Sequence, residues 1–397
     1  MALRWLRRRG PDREGLIPSL EDAAETAPLR LLVVADAAGA TLQLNLLRPL
    51  APLRRAGAMA LLVLTEDSLA QAVSRLGASA AAAALRRRWQ AFRPSAAFVS
   101  RYGGPLAAEL LEIAAASQTP LVFHLDDNLF EVPAELGRAK FVRYGDPQRQ
   151  LAMRSLLEHA DLAYLSTELL HRQLAERGPI GGRVVTGTIA SAGTPLAPPA
   201  PRPAGSGKRF GYMATASHGA DLALALPGIH EALDRDPRLR FELFGTIARP
   251  ASLSKYGDRV RRVPPVADYD KFLLCLRDLA WDLGLAPLCG TRFNDAKTNT
   301  KWVEYAAAGI PVLASDHALY RGCCADGAGV LVPDAGWEAA ILRVLDDNAL
   351  RREMRIRAWR RLEEEYAPAR LGGQLLDVLA TAGAPIPETA RSLVGSA

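Results

Sequence analysis

The sequence predicts an α/β protein with two doubly wound parallel-sheet domains joined by one linker and followed by C-terminal helices. Three observations predict it. Short apolar runs alternate with longer Ala/Leu/Arg stretches, the alternation restarts after a proline-rich break, and no short repeat period suggests a solenoid or a propeller. At 397 residues the chain holds two domains of ordinary size. Its 49% apolar and 23% charged content excludes disorder, collagen-like repeats and a coiled coil.

Residues 1–27 mix Arg4, Arg7, Arg8, Arg9 and Arg13 with five acids and little periodic apolar content, which predicts a flexible tail. The N-terminal domain is expected over 28–192. Strands are predicted at LRLLVVA (29–35), MALLVL (59–64), AAFVS (96–100), PLVFHL (120–125) and DLAYLS (161–166). Helices are predicted at 41–57, 104–117, 147–159 and 167–177, so the sheet is parallel and covered on both faces. Pro195, Pro198, Pro199, Pro201 and Pro203 forbid a continuous helix or a central strand, and 193–207 is assigned as the linker.

The alternation resumes over 208–365, with strands at RFGYM (209–213), LRFELFG (239–245), AWDLGLAPL (280–288), IPVLAS (310–315) and GVLV (329–332). Helices are predicted from about 220 to 234, at 268–279 and at 301–309. The chain is helical from Trp337 to about Ala382, with 366–397 taken as a C-terminal helix and tail.

No run of 18 uninterrupted apolar residues occurs, and MALRWLRRRG has no signal-peptide core, so a cytoplasmic protein is expected. The four cysteines form no C-x-x-C pair and read as reduced thiols, without structural zinc. A net charge of +6, from 49 basic against 43 acidic residues, is too even a mixture for a nucleic-acid footprint and suits anionic ligands or lipid headgroups.

In two open parallel sheets, ligands bind at the carboxyl ends of the strands, here beside a shared cleft. The richest such loop is APLCGTRFNDAKTNTKWVEYAAAGIPVLASD, residues 286–316. Thr298, Asn299 and Thr300 are placed to cap a short helix whose free N–H groups attract phosphate. Lys297 and Lys301 flank its start, and Lys301, Glu304 and Tyr305 share a face by i,i+3 and i,i+4 spacing. A carboxylate at Glu304 suits the two hydroxyls of a ribose. A capped helix with a surface Lys–Glu pair would need no ligand at all.

After the first strand of the second half comes a small-residue loop, Ala214, Thr215, Ala216, Ser217, His218 and Gly219, through which backbone N–H groups can approach phosphate. The plainer alternative is a strand-to-helix turn with Asp221 as N-cap. In the first half, His124, Asp126 and Asp127 end a strand, where they can orient an acceptor hydroxyl or merely cap a turn. The acid pair also suits a metal, but lysines and a helix start make a cation unnecessary, and no metal is expected. The loop with Gly39 and Thr41 is a weak signal, without a G-x-G-x-x-G pattern. Arg86, Arg87, Arg88 and Arg93 beside Trp89 and Phe92 suit an anionic membrane surface or a solvated helix end.

KWVEYAAAGIPVLASD (301–316) resembles the K-x-x-E-Y-x-A-x-G-x-P-V-x-A-S-D segment of GT-B glycosyltransferases, especially the retaining family 4. WDLGLAPL, RFNDAK and GYMATASHGADLALALPGI (211–229) are similar to that family's neighbouring segments. The resemblance implies two Rossmann-like domains in the GT-B arrangement, with the nucleotide-sugar donor on the second and a glycan or lipid-linked acceptor on the first. It implies transfer of a hexosyl or deoxyhexosyl group with retention, in bacterial cell-surface polysaccharide synthesis. No cofactor beyond the donor substrate is implied, and the enzyme would be cytoplasmic or peripheral at the inner face of the membrane.

By the same resemblance, Lys301 and Lys297 meet the diphosphate, and the similar acid pair of relatives supports His124, Asp126 and Asp127 as catalytic without naming their role. Glu304, Thr298, Asn299, Thr300, Thr215, Ser217, His218, Asp295 and Tyr305 bind the donor, and Gly39 and Thr41 lie near the acceptor. Relatives carry a second, sugar-contacting glutamate eight positions before Glu304. Here that position is Ala296, with Asp295 and Lys297 as neighbours able to replace it. A non-catalytic nucleotide- or glycan-binding scaffold and a nucleotide-sugar 2-epimerase are the competing readings.

Overall fold

The structure, a computed structural model, describes residues 26–187, 195–198 and 207–394, with 7–9, 17 and 19–21 of the N-terminal segment. The chain divides into two compact units. One comprises Met1–Val132, Val142–Ser191 and Pro368–Ala397, the other Pro133–Phe141 and Ala192–Ala367. Of the expected linker 193–207, only 195–198 and 207 lie within the described residues.

The first unit holds β1 (Arg7–Arg9), β2 (Ser19–Glu21), β3 (Leu29–Ala35), β4 (Met59–Thr65), β5 (Ala96–Ser100), β6 (Leu121–Leu125), β7 (Leu162–Leu165) and β8 (Arg183–Thr186) in the order β1-β2-β4-β3-β5-β6-β7-β8. From β4 to β8 every pairing is parallel. The near-continuous apolar runs of β3, β4 and β5 are buried on both faces, as a covered parallel sheet requires. Part of the segment expected as a tail joins this sheet, because β2 pairs antiparallel with β4 and with β1.

The single helix expected over 41–57 is instead broken into Ala40–Leu42, a π-helical turn Gln43–Leu47, and Ala51–Arg55. Pro49 and Pro52 lack the N–H that a continuous helix needs. The crossover after β4 is filled by the helices Glu66–Leu76 and Ala78–Phe92, the first opened by a reciprocal Thr65–Ser68 capping box.

The C-terminal helix Pro368–Thr381 belongs to this first unit. Its apolar stripe, Leu375, Leu376, Val378 and Leu379, completes the core with Leu31, Val33, Phe98 and Val122. Gln374 donates to the Tyr164 hydroxyl on β7.

The second unit has six parallel strands, β9 (Arg209–Ala214), β10 (Arg240–Gly245), β11 (Val260–Val263), β12 (Leu283–Ala286), β13 (Val312–Ser315) and β14 (Val330–Val332), ordered β11-β10-β9-β12-β13-β14. Phe210, Tyr212, Leu222, Ile229, Leu283, Leu285, Leu313 and Trp337 form its core. The helix Gly219–Arg235 packs there on the helix Trp337–Asp346. A Cβ at Gly228 would lie 2.5 Å from the Glu338 nitrogen, so only glycine permits that approach. Among the described residues no helix is long and apolar enough to cross a membrane.

Candidate functional site

Strand order locates the place to look in each unit. In the second, the chain winds outward from β9 to β11, then returns to the other side of β9 with β12, so direction reverses between β9 and β12. The crevice beyond the carboxyl ends of such a pair is where ligands of doubly wound sheets bind. β9 and β12 pair through Phe210↔Leu283 and Gly211↔Gly284. One step further on, the Tyr305 hydroxyl stands between them, accepting from Met213 N at 3.0 Å and donating to Leu285 O at 3.0 Å. Tyr305 is therefore a wedge between strands. Its side chain is 0% exposed and its hydroxyl committed, which corrects its assignment as a donor-binding residue.

The helix carrying Tyr305 runs Thr300–Ala307, and no side chain caps its start. Thr298 and Thr300 hydrogen-bond each other at 2.9 Å, and Asn299 donates to the Tyr366 hydroxyl at 2.6 Å. The expected capping by these three residues does not occur, and the first-turn amides are left for solvent or a ligand.

Lys301 and Glu304 are both partly buried on this helix. Burial and the charge of Lys297 bring the Lys301 ammonium down to about 8, against Asp221 and Glu304, which favour its charged form. Burial pushes Glu304 up to about 7, opposed by a hydrogen bond from Tyr269 and by Lys301. The Lys301 ammonium lies 5.6 Å from the Tyr212 ring centre, and that of Lys297 5.0 Å from the Phe293 ring. Displaced ionisation of neighbouring groups at a switch point marks a candidate site.

The loop after β9 meets this helix from the other side of the switch point. Thr215 and Ser217 hydrogen-bond each other at 2.9 Å, and Ala216 N donates to Thr246 Oγ1 at 2.9 Å. His218 Nδ1 lies 2.7 Å from Asp221 Oδ2. The nearby Lys301 charge, with burial, brings the His218 imidazole down to about 4, while Asp221 works the other way. Asp221 is not the N-cap its position suggested, a place held by His218. It is buried, and its Oδ1 accepts from Cys289 N at 2.9 Å and from Asn294 Nδ2 at 3.5 Å. Burial would raise its pKa, but His218 and the Cys289 amide outweigh that and hold it below the ordinary value. The sequence signal for Asp221 was its i,i+3 spacing from His218.

Ala296, at the position expected for the sugar-contacting glutamate, is 0% exposed. Asp295 beside it accepts from His317 Nε2 at 2.7 Å, with His317 Nδ1 fixed by the Leu319 amide. Its side chain is 38% exposed, so a carboxylate is presented one residue from the expected place.

In the first unit the reversal falls between β3 and β5, and the residues just past them are Asp36 and Arg101. Arg101, in left-handed backbone (φ 55°), binds Asp126, Asp127 at 3.0 Å and Asp36 at 3.4 Å. Tyr144 OH donates to Asp36 at 3.2 Å, and Asn45 to Asp126 at 3.4 Å. Burial, more than the opposing Arg101 charge, raises Asp36 above its ordinary value. The two acids are thus ion-paired to an arginine, which sequence reasoning missed because a single Arg after a strand carries no pattern. Gly39 and Thr41 follow Asp36 in sequence, and their segment reaches this cluster through Asp36 and Asn45.

His124 is not part of that cluster. It lies wholly buried in β6 between Phe98 and Tyr164, ring centres at 5.5 and 5.4 Å, with Nδ1 3.0 Å from Ser100 Oγ. Burial and the Arg101 charge hold it down to about 3, so it is a neutral core residue, which corrects its catalytic assignment. Of the cation-aromatic patch, Arg86, Arg87 and Arg93 are exposed, as in a solvated helix end, but its aromatics are not. Leu85 and Trp89 are buried, Trp89 donating to Thr119 at 3.3 Å, and Phe92 is covered by Arg30.

Residues 227–377 match the family model described as glycosyl transferase-like. No curated protein sequence matches the chain. Among solved structures, sucrose-phosphate synthase from Thermosynechococcus elongatus is 14% identical with a TM-score of 0.61, the match covering 89% of this chain and 100% of that one. HepE of Anabaena, in complex with UDP and glucose, is 12% identical with a TM-score of 0.60 over the same shares. TarM of S. aureus, in complex with UDP, is 12% identical with a TM-score of 0.53, covering 75% of this chain and 59% of TarM. The fold is GT-B, two Rossmann-like domains.

Proposed function

We propose, from a GT-B fold whose second unit carries a glycosyl transferase-like segment, that this protein is a glycosyltransferase using a nucleotide diphosphate sugar. The observation that carries the reading is the pairing of Lys301 and Glu304 on one uncapped helix start at the β9–β12 switch point. Lys301, Lys297 and the first-turn amides meet the charge that grows on the departing diphosphate, and the loop Thr215–His218 lies against it. These cations make a metal ion unnecessary. Glu304 holds the ribose, and Asp295, braced by His317, takes the sugar contact that Ala296 cannot make. The UDP complexes of HepE and TarM support a nucleoside diphosphate as the leaving group.

The transferred group in this reading is hexosyl or deoxyhexosyl, moved with retention to a hydroxyl of a glycan or lipid-linked acceptor. Its setting is cell-surface polysaccharide synthesis at the cytoplasmic face of a bacterial membrane. Thermal unfolding against UDP-, GDP-, dTDP- and ADP-sugars and their free nucleotides tests the donor site, because ligand at about 100 times its Kd adds roughly 2.7 kcal/mol. A selective upward shift abolished in Glu304→Ala is expected. No shift with any member, in folded protein, overturns the reading.

A further inference from the structure

We propose that Asp221 is a positioning residue that makes His218 a proton-accepting ligand of the donor diphosphate, so that donor binding takes up one proton from solvent at this ring. The inference rests on the nucleotide-sugar reading above. Its basis is hydrogen-bond accounting around a buried carboxylate. Asp221 Oδ1 receives the Cys289 amide at 2.9 Å and the Asn294 amide nitrogen at 3.5 Å, while Oδ2 lies 2.7 Å from His218 Nδ1. A carboxylate held by N–H donors is ionised and can only accept, so the proton between it and the ring sits on Nδ1. That leaves Nε2 of the neutral ring as a lone pair, which repels a phosphate oxygen. Only the doubly protonated ring can donate to the diphosphate, and Asp221 is placed to stabilise that imidazolium.

The surroundings decide when the ring charges. Lys301 on the helix Thr300–Ala307 and Lys297 just before it both disfavour a cation at His218, and Asp221 favours it. The turn Ala134–Leu136, which carries the exposed Glu135, lies against Ala216–His218, but the charges acting on the ring are those of Lys301, Lys297 and Asp221. Without ligand the two lysines keep the ring neutral. A diphosphate beside them reverses the local field, His218 binds H⁺ at Nε2, and the proton leaves again with the product. The same carboxylate ties the loop after β9 to the loop after β12, so the acceptor of the ring proton also sets the spacing of both loops at the switch point.

The test is titration calorimetry of UDP into the full-length protein at pH 6.0, in buffers of different ionisation enthalpy, with GDP, dTDP and ADP as parallel probes. The wild type is expected to take up about 0.5 to 1 proton more per nucleotide than His218→Gln. Asp221→Asn is expected to lose that excess together with about tenfold in affinity at pH 6.0. His218 lies on the loop at the helix start, so His218→Gln keeps the test open even if Asp221→Asn does not fold. Equal uptake in wild type and His218→Gln overturns the inference alone. Undiminished uptake in folded Asp221→Asn shows that Asp221 is only a brace and overturns it too. Failure of folded wild type to bind any of the four nucleotides overturns the nucleotide-sugar reading, and this inference with it.

Discussion

The Tyr305 hydroxyl accepts a hydrogen bond from the Met213 amide at 3.0 Å, across the point where strand order reverses in the second unit. It simultaneously donates to Leu285, so one phenol bridges two strands that would otherwise bond each other. The side chain comes from the helix that carries Lys301 and Glu304, which ties the position of that helix to the parting of β9 and β12. Tyr305→Phe leaves the Met213 and Leu285 groups buried without their partner. It is expected to cost about 1–3 kcal/mol in denaturant unfolding, the usual penalty for a buried polar group left unpaired. An unchanged midpoint contradicts the wedge.

Lys301 carries the second prediction. Lys301→Ala is expected to lower turnover about 10²- to 10³-fold with the fold intact, as removal of a charge-stabilising donor typically does. Because burial and Lys297 bring the free protein's ammonium down to about 8, wild-type kcat/KM is expected to fall as pH rises above that value, about tenfold per unit. The sign follows from the role: the charged form binds the diphosphate, and the charged form is lost on the alkaline side. A flat profile between pH 7 and 9.5 contradicts it.

Arg101 is the charge that lets three acids share the β3–β5 switch point. Arg101→Met removes the cation that binds Asp36, Asp126 and Asp127 together, and breaking such a buried arrangement costs about 3–5 kcal/mol. In the variant Asp36, already raised by burial, loses the Arg101 charge that opposes that rise and stands further above its unfolded value, so the folded chain binds more protons than the unfolded one in that window. Stability should therefore recover as pH falls from 8 towards 5. Denaturant unfolding at the two pH values measures it, and a deficit that does not shrink in acid contradicts the charge argument.

Asp295 tests the sugar contact. Asp295→Ala is expected to leave binding of free nucleoside diphosphate within about twofold while lowering transfer by about tenfold or more, since it faces the sugar rather than the phosphates. Equal losses in both would place it on the nucleotide side.

Most of this architecture was legible in the sequence. Covered parallel strands need unbroken apolar runs, and LRLLVVA, LRFELFG and IPVLAS mark β3, β10 and β13 within a residue or two. The helix with Lys301 and Glu304 was legible because Gly309 and Pro311 punctuate its end. What was not legible are relationships between distant residues. Tyr305 looked like a site residue because it shares a helix face with Lys301 and Glu304, and His124 because it stands at a strand end, yet both are enclosed by neighbours that sequence spacing cannot reveal. Asp221 was read only as an N-cap and Arg101 not at all for the opposite reason, since each draws much of its importance from a partner 68 or 25 positions away. The helix Pro368–Thr381 packs on β7, far back in the chain, which no periodicity records.

The most direct test of the central claim is release of nucleoside diphosphate from a nucleotide sugar, followed with wild type and Lys301→Ala in parallel, using whichever donor stabilises the folded protein. The account predicts release by the wild type, faster with an acceptor hydroxyl present, and a loss of about 10²-fold or more in the variant. A donor that binds tightly and is neither hydrolysed nor transferred by the wild type would contradict a catalytic role and leave a nucleotide-sugar-binding scaffold.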